Sequence, residues 1–172
     1  MQRYVRMFGT PITLLALLAI LILGARWGYR NVVAPPPPPP LVPCVDQNVG
    51  KALTTKQVTV QVYNGGSKSG LAKIVATQLR GAGFTIAKTG NTEVEVGATQ
   101  IIGADVNNPE VKLVAGFFKG AKVTADGRAD HTVEVRVGNA ATGFNPKAPH
   151  QIAVTSPTVC LPSPSAIATP AS

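Results

Sequence analysis

Between Arg6 and Arg26 the chain carries no charged residue, and Ile12 to Leu23 is almost continuous Leu, Ile and Ala. A helix with no polar face cannot lie on a small soluble core, so this run is set apart from whatever the rest of the chain builds. About 19 residues at 1.5 Å rise span most of a hydrocarbon core. Pro11 falls in the first turn of the expected helix, where its missing N–H costs little. Trp27 and Tyr29 follow the run, as aromatics do at headgroup level. The competing assignment is a cleaved signal peptide, which needs small residues at the third and first positions before the cut. Leu23-Gly24-Ala25 puts Leu at the third, and a cut after Ala34 leaves Pro35 on the wrong side of the bond. The pattern predicts an uncleaved anchor in the cytoplasmic membrane within residues 1–30.

Arg3 and Arg6 precede the run and Arg26 and Arg30 follow it, so positive charge does not choose its orientation. The short N-terminal tail favours N-in, with the remainder extracytoplasmic. Pro35 to Pro40 then form a polyproline II spacer within residues 31–43, stiff and roughly 20 Å long at about 3.1 Å per residue. Cys44 and Cys160 are the only two cysteines. They bracket a domain at 44–160, and their spacing excludes a C-x-x-C redox pair. With no histidine cluster nearby they make a poor zinc site. In an oxidising compartment they read as one disulfide, worth about 4–5 kcal/mol on the chain-entropy model. In the cytoplasm they would be two unpaired thiols.

The formal charge of +8 is unevenly spread. Four arginines flank the anchor, and beyond Val45 the remaining twelve Lys and Arg face eight acids, leaving +4. Residues 51–92 hold Lys51, Lys56, Lys68, Lys73, Arg80 and Lys88 with no acid. Such a half attracts polyanions, which outside a membrane are wall polymers or headgroups rather than nucleic acid; it also serves plain solubility.

Val58, Val60 and Val62 alternate with polar residues in a strand from Lys56 to Tyr63. Asn64-Gly65-Gly66 turns, Ser67 or Ser69 caps a helix to about Arg80, and Leu71, Ile74, Val75, Gln78 and Leu79 mark its inner side. Phe84 to Lys88 and Thr99 to Gly103 are further strands. Asn107 or Asn108 caps a second helix with Pro109 first and Val111, Leu113, Val114, Phe117 and Phe118 on its apolar face. Ala129 to Val137 is the clearest strand. Beyond Gly138 only Gln151 to Val154 escapes Pro and Gly, and 161–172 read as a disordered tail. The order β-α-β-β-α-β over a core at 56–138 predicts an α+β, ferredoxin-like two-layer sandwich, an antiparallel sheet under two helices. Val58, Val60, Val62, Leu71, Val75, Leu79, Val133 and Val135 are its expected core.

The stretch from Val58 through Asn64-Gly65, Gly70-Leu71-Ala72 and Gly83-Phe84 resembles the LytR C-terminal domain family. Lys88 to Asn91, Thr99 to Ile102 and Asp130 to Val133 continue the likeness over roughly 57–138. The resemblance implies a solitary actinobacterial envelope domain behind one membrane helix, supporting envelope integrity or wall assembly. It carries no transferase domain and nothing resembling a DNA-reading helix, so neither activity is implied.

No catalytic set emerges from the residues. His131 beside Asp130 in a strand would point away from it, and His150 lies between prolines. Glu93 and Glu95 share a face only if their loop is extended, and exposed like charges explain them without a glycosidase pair. Gly65 to Gly70 lacks the order of a phosphate-binding loop. The expectation is a module without enzymatic activity, cofactor or metal. It binds an anionic wall polymer or peptidoglycan, or positions a membrane-bound wall-assembly enzyme. The candidate ligand loop is Asn64, Gly65, Gly66, Ser67, Lys68, Ser69 and Gly70 with Lys73, at the N-terminus of the first domain helix. The same residues also serve an ordinary turn and cap.

Overall fold

The computed structural model describes residues 2–33, 43–139 and 143–163, with side chains in the first stretch only from Thr13 to Tyr29. The proline spacer and most of the tail lie outside the described residues. The chain divides into two units, residues 1–40 and 41–172.

The first unit is one helix, α1 (Gln2–Val33). It starts earlier than the apolar run, so Pro11 sits in its interior rather than its first turn; the loss of one backbone hydrogen bond does not end a helix this long. Leu14, Leu15, Leu17, Leu18, Ile20 and Leu21 are all exposed, with no polar stripe among them. Among the described residues no helix is long and apolar enough to cross a membrane.

The second unit is α+β. Its strands are β1 (Val45–Asn48), β2 (Ala52–Thr54), β3 (Thr59–Asn64), β4 (Thr85–Asn91), β5 (Gln100–Gly103), β6 (Lys122–Ala125), β7 (Val133–Val137), β8 (Gln151–Ala153) and β9 (Thr158–Leu161). Its helices are α2 (Leu71–Gly81) and α3 (Pro109–Ala115). Five strands form the main sheet in the order β4-β3-β7-β5-β6. The ferredoxin-like antiparallel arrangement is not what forms. β3 runs parallel to both β4 and β7, β5 parallel to β6, and only β5 and β7 are antiparallel. Each helix returns the chain to the strand beside the one it left, making two βαβ units. β7 then fills the centre between them. Its Val133, Val135 and Val137 are buried, which a central position satisfies better than an edge.

The strand β6 has no sequence signature: Lys122 to Ala125 is short, and only Val123 in it is a large apolar residue. Its hydrogen bonds come from parallel pairing with β5, a contact set by α3 in between. One apolar cluster joins Val58, Val60 and Val62 of β3 and its approach to Val75, Ala76 and Leu79 of α2 and Val111 and Val114 of α3. Of the eight expected core residues seven are buried, and Leu71 packs at the cluster's edge. Four phenylalanines meet in it too. Phe117 lies 5.1 Å from Phe84 and 5.7 Å from Phe144, which is also 5.7 Å from Phe118.

Two short ladders close the ends. β1 pairs with β9 and β2 with β8, both antiparallel. Cys44 and Cys160 are disulfide-bonded beside the first ladder, with Cα atoms 5.3 Å apart and 116 residues between them in sequence. Ordered structure continues past Cys160, because Leu161 is fully buried and pairs with Val45.

Candidate functional site

The loop from Asn64 to Gly70 is held by its own atoms. Asn64 is buried; its side-chain oxygen accepts from the Gly66 N–H at 3.1 Å and its amide donates to the Lys68 carbonyl at 2.9 Å. The Ser67 N–H and hydroxyl both donate to the side-chain oxygen of Asn139, at 2.7 and 2.9 Å. A Cβ on Gly65 would stand 2.7 Å from Val96 Cγ2 and 2.9 Å from the Val94 carbonyl, and one on Gly66 would stand 2.8 Å from Asn139 Oδ1. The atoms that approach these glycines therefore belong to the chain. Neither Ser67 nor Ser69 caps α2. Gly70 stands at the cap in the left-handed region (φ 83°), with no side-chain hydrogen bond to the helix. Ser67, Lys68, Ser69, Gly70 and Lys73 are exposed.

The charges differ between the two halves of the domain. Lys51, Lys56, Lys68, Lys73, Arg80 and Lys88 are all exposed. Among the described residues none of them forms an ion pair, and Lys88 lies over the Tyr63 ring at 5.8 Å. Lys73 and Arg80 lie two helical turns apart on the outer side of α2. In the second half the two arginines are spent internally, while Lys112, Lys119, Lys122 and Lys147 are exposed without an ion pair among the described residues. Arg128 donates to Asp126 at 2.6 Å and to Glu134 at 3.1 Å, and Arg136 donates to the other Glu134 oxygen. The Arg128 hydrogen bond holds the Asp126 carboxyl below its ordinary range. Burial opposes the charge on Arg128, and its bonds to Asp126 and Glu134 outweigh that, so the guanidinium is held above its ordinary value.

Glu93 and Glu95 lie between β4 and β5 in a segment that is not a strand, and both are exposed. No shared strand face aligns them. His150 bonds the Ala82 carbonyl at 2.9 Å and meets Phe117 edge-on, while the residue as a whole remains exposed.

His131 is the residue for which sequence reading missed the surroundings. It precedes β7 instead of lying in it, with φ at 53°, the one non-glycine residue in the left-handed region among those described. Its Nδ1 lies 2.8 Å from Oε1 of Glu110, a carboxylate only 1% exposed. Glu110 follows Asn108-Pro109 and reads in sequence as an ordinary first-turn acid of a helix; nothing local marks it as buried. A ring nitrogen of His131 and the sulfurs of Cys44 and Cys160 lie within 4.8 Å of one another. With both sulfurs bonded to each other they offer no thiolate to a metal. Glu110 and His131 line a cleft of about 360 Å³ closed on its other side by the β8–β9 segment.

Taken together, fold and sites define a small disulfide-closed α+β domain with binding surfaces on it and, among the described residues, no assembled nucleophile and base. Residues 57–140 match the family described as LytR cell envelope-related transcriptional attenuator. Residues 57–140 thus carry the LytR C-terminal family pattern that the sequence resembles. The match takes in the five-stranded sheet with both helices and leaves out β1, β2, β8, β9 and the disulfide. Among solved structures the chain is similar to the soluble domain (residues 71–217) of a conserved hypothetical secreted protein from Mycobacterium marinum. The identity is 22%, the TM-score is 0.45, and the likeness covers 57% of this chain and 70% of that one. No curated protein matches the sequence.

Proposed function

We propose that the chain is a membrane-anchored, non-catalytic envelope module that holds an anionic or glycan wall polymer on its cationic half. The observation that carries this reading is the charge distribution: residues 51–92 hold six exposed cations and no acid, whereas the second half's cations share their stretch with Glu93, Glu95, Asp105, Asp126, Asp130 and Glu134, and two of them, Arg128 and Arg136, are tied to those acids. Unpaired surface cations cost the fold little and raise the local concentration of a polyanion. The anchor in this reading rests on the uncharged run between Arg6 and Arg26, whose described leucines and isoleucines, Leu14 to Leu23, are exposed with no polar face to turn to water. The disulfide suits the oxidising side of the membrane, with the N-terminus inside. The loop Asn64–Gly70 contributes Lys68, and α2 adds Lys73, rather than a backbone cradle, because Gly65 and Gly66 are already covered.

The test is binding of the full chain in uncharged detergent to anionic wall polymer and to a neutral glycan, at low and moderate salt. The anionic polymer should bind more tightly, and its affinity should fall as salt rises. Lys68→Glu with Lys73→Glu should weaken it about tenfold with the fold unchanged. A double variant that binds like the wild type removes the loop and favours the second reading, a scaffold for a membrane-bound wall enzyme. That alternative rests on β4, a seven-residue edge strand with every residue exposed or half-buried.

A further inference from the structure

Glu110 lies in the first turn of α3, where a negative charge suits the helix dipole, but that position does not account for the burial of both its oxygens. Oε1 bonds His131, but Oε2 is enclosed and has no hydrogen-bond partner. A buried carboxylate oxygen without a donor is destabilising, and native interiors rarely keep one unused. No lysine or arginine makes an ion pair with it among the described residues. Asn108 does not serve it either: its side-chain nitrogen stands 3.5 Å from His131 Nδ1, too long for a useful bond and donor against donor when Nδ1 carries its proton.

The pair is also held in place at a cost. His131 occupies a backbone region that a non-glycine residue seldom reaches unless its neighbours dictate it. Those neighbours are visible. The Cys44 N–H donates to the Ala129 carbonyl at 2.8 Å, and the Asp130 carboxylate accepts from the Thr132 N–H and hydroxyl at 3.2 and 2.9 Å. The turn is thereby fixed with the imidazole against Glu110. The disulfide fixes β9, which forms part of the facing wall.

The cleft these groups line is at the small end of ligand sites. Its far wall mixes aliphatic and hydroxyl side chains, Ile152, Val154 and Val159 with Thr155, Ser156 and Thr158, and its lining includes a single lysine, Lys112. It joins the family core to the β8–β9 segment outside the family match, and it is separate from the cationic surface proposed above.

We propose that this cleft binds a small aliphatic ammonium group, with Glu110 Oε2 as the acceptor and His131 as the positioning residue behind it. An ammonium supplies the missing donor as a charge-assisted bond, and a short alkyl chain matches the aliphatic wall. A neutral hydroxyl would fill the same space with a weaker bond.

The chain has two histidines, and His150 bonds the Ala82 carbonyl outside this cleft, so it serves as an internal control. The experiment is a titration of the full chain in uncharged detergent with n-butylammonium chloride, following the ring signals of labelled histidine by NMR. The expected result is a saturable shift of the His131 signal with His150 unmoved, and about tenfold weaker binding in Glu110→Gln. n-Butanol and tetramethylammonium, which lack the charge and the N–H respectively, should not reproduce the shift. These two controls need no variant, so the proposal remains testable if Glu110→Gln unfolds. An unmoved His131, as when the cleft holds only ordered water, overturns it. So does an equal response to butanol or tetramethylammonium, or unaltered binding by a folded Glu110→Gln.

Discussion

Gly65 shows how one residue type can answer two different demands. A glycine before a helix suggests access for a ligand to the backbone, and the same glycine is needed when the chain packs on itself. Here Val96 and the Val94 carbonyl occupy the space a Cβ would take. Gly65→Ala should therefore destabilise the domain by roughly 1–3 kcal/mol in chemical denaturation, the cost of overpacking, whether or not polymer is present. A neutral substitution would mean that the 92–98 segment yields. Glu110 is the opposite lesson. Its residue type and position are unremarkable on a helix, and only the turn at His131, 21 residues on, makes it a buried acid with one oxygen to spare.

At the scale of elements, α2 follows from its own sequence. Ala72, Val75, Ala76 and Leu79 recur at three and four residues and are the buried ones, while Lys73, Thr77 and Arg80 face out. Leu79 is fully buried, so Leu79→Ala should cost about 2–5 kcal/mol, read as a shift in denaturation midpoint. A loss under about half a kilocalorie would be surface behaviour and would contradict that packing. The strand β3 was equally legible, since Val58, Val60 and Val62 alternate up to and along it. The strand β6 was not. Four residues without alternation carry too little information to distinguish a strand from a loop, and its pairing with β5 supplies what the residues lack.

For the whole molecule the disulfide is the main closure. The segments it joins are also held to each other by the short β1–β9 ladder, by the hydrogen bonds from Gln47 to the Pro162 carbonyl and from the Val49 N–H to the Pro157 carbonyl, and by Leu161 in the core. Reduction, or Cys44→Ser with Cys160→Ser, should lower the unfolding free energy by about 4–5 kcal/mol on the loop-entropy model. The matching measurement is denaturation of oxidised and reduced protein under the same conditions. The same change should loosen the β8–β9 wall of the cleft before it affects β3 or α2, which lie in the central cluster.

What the sequence determined by itself is everything local or compositional: the unpolarised apolar run, the alternating valines, the amphipathic α2, the Pro109 start of α3, the charge asymmetry and the pairing of two lone cysteines. Each depends on neighbours within a few residues or on a count. The tertiary structure alone decided the strand order and the cleft. Whether a βαβ unit is split or adjacent is set by which strand can bury three valines with a neighbour on each side, and β7 takes that place between the two units. The Glu110–His131 pair likewise arises from bringing α3, the turn before β7 and the β8–β9 segment together. Short-range pattern holds no record of such contacts, because their energy comes from surfaces far apart in the chain.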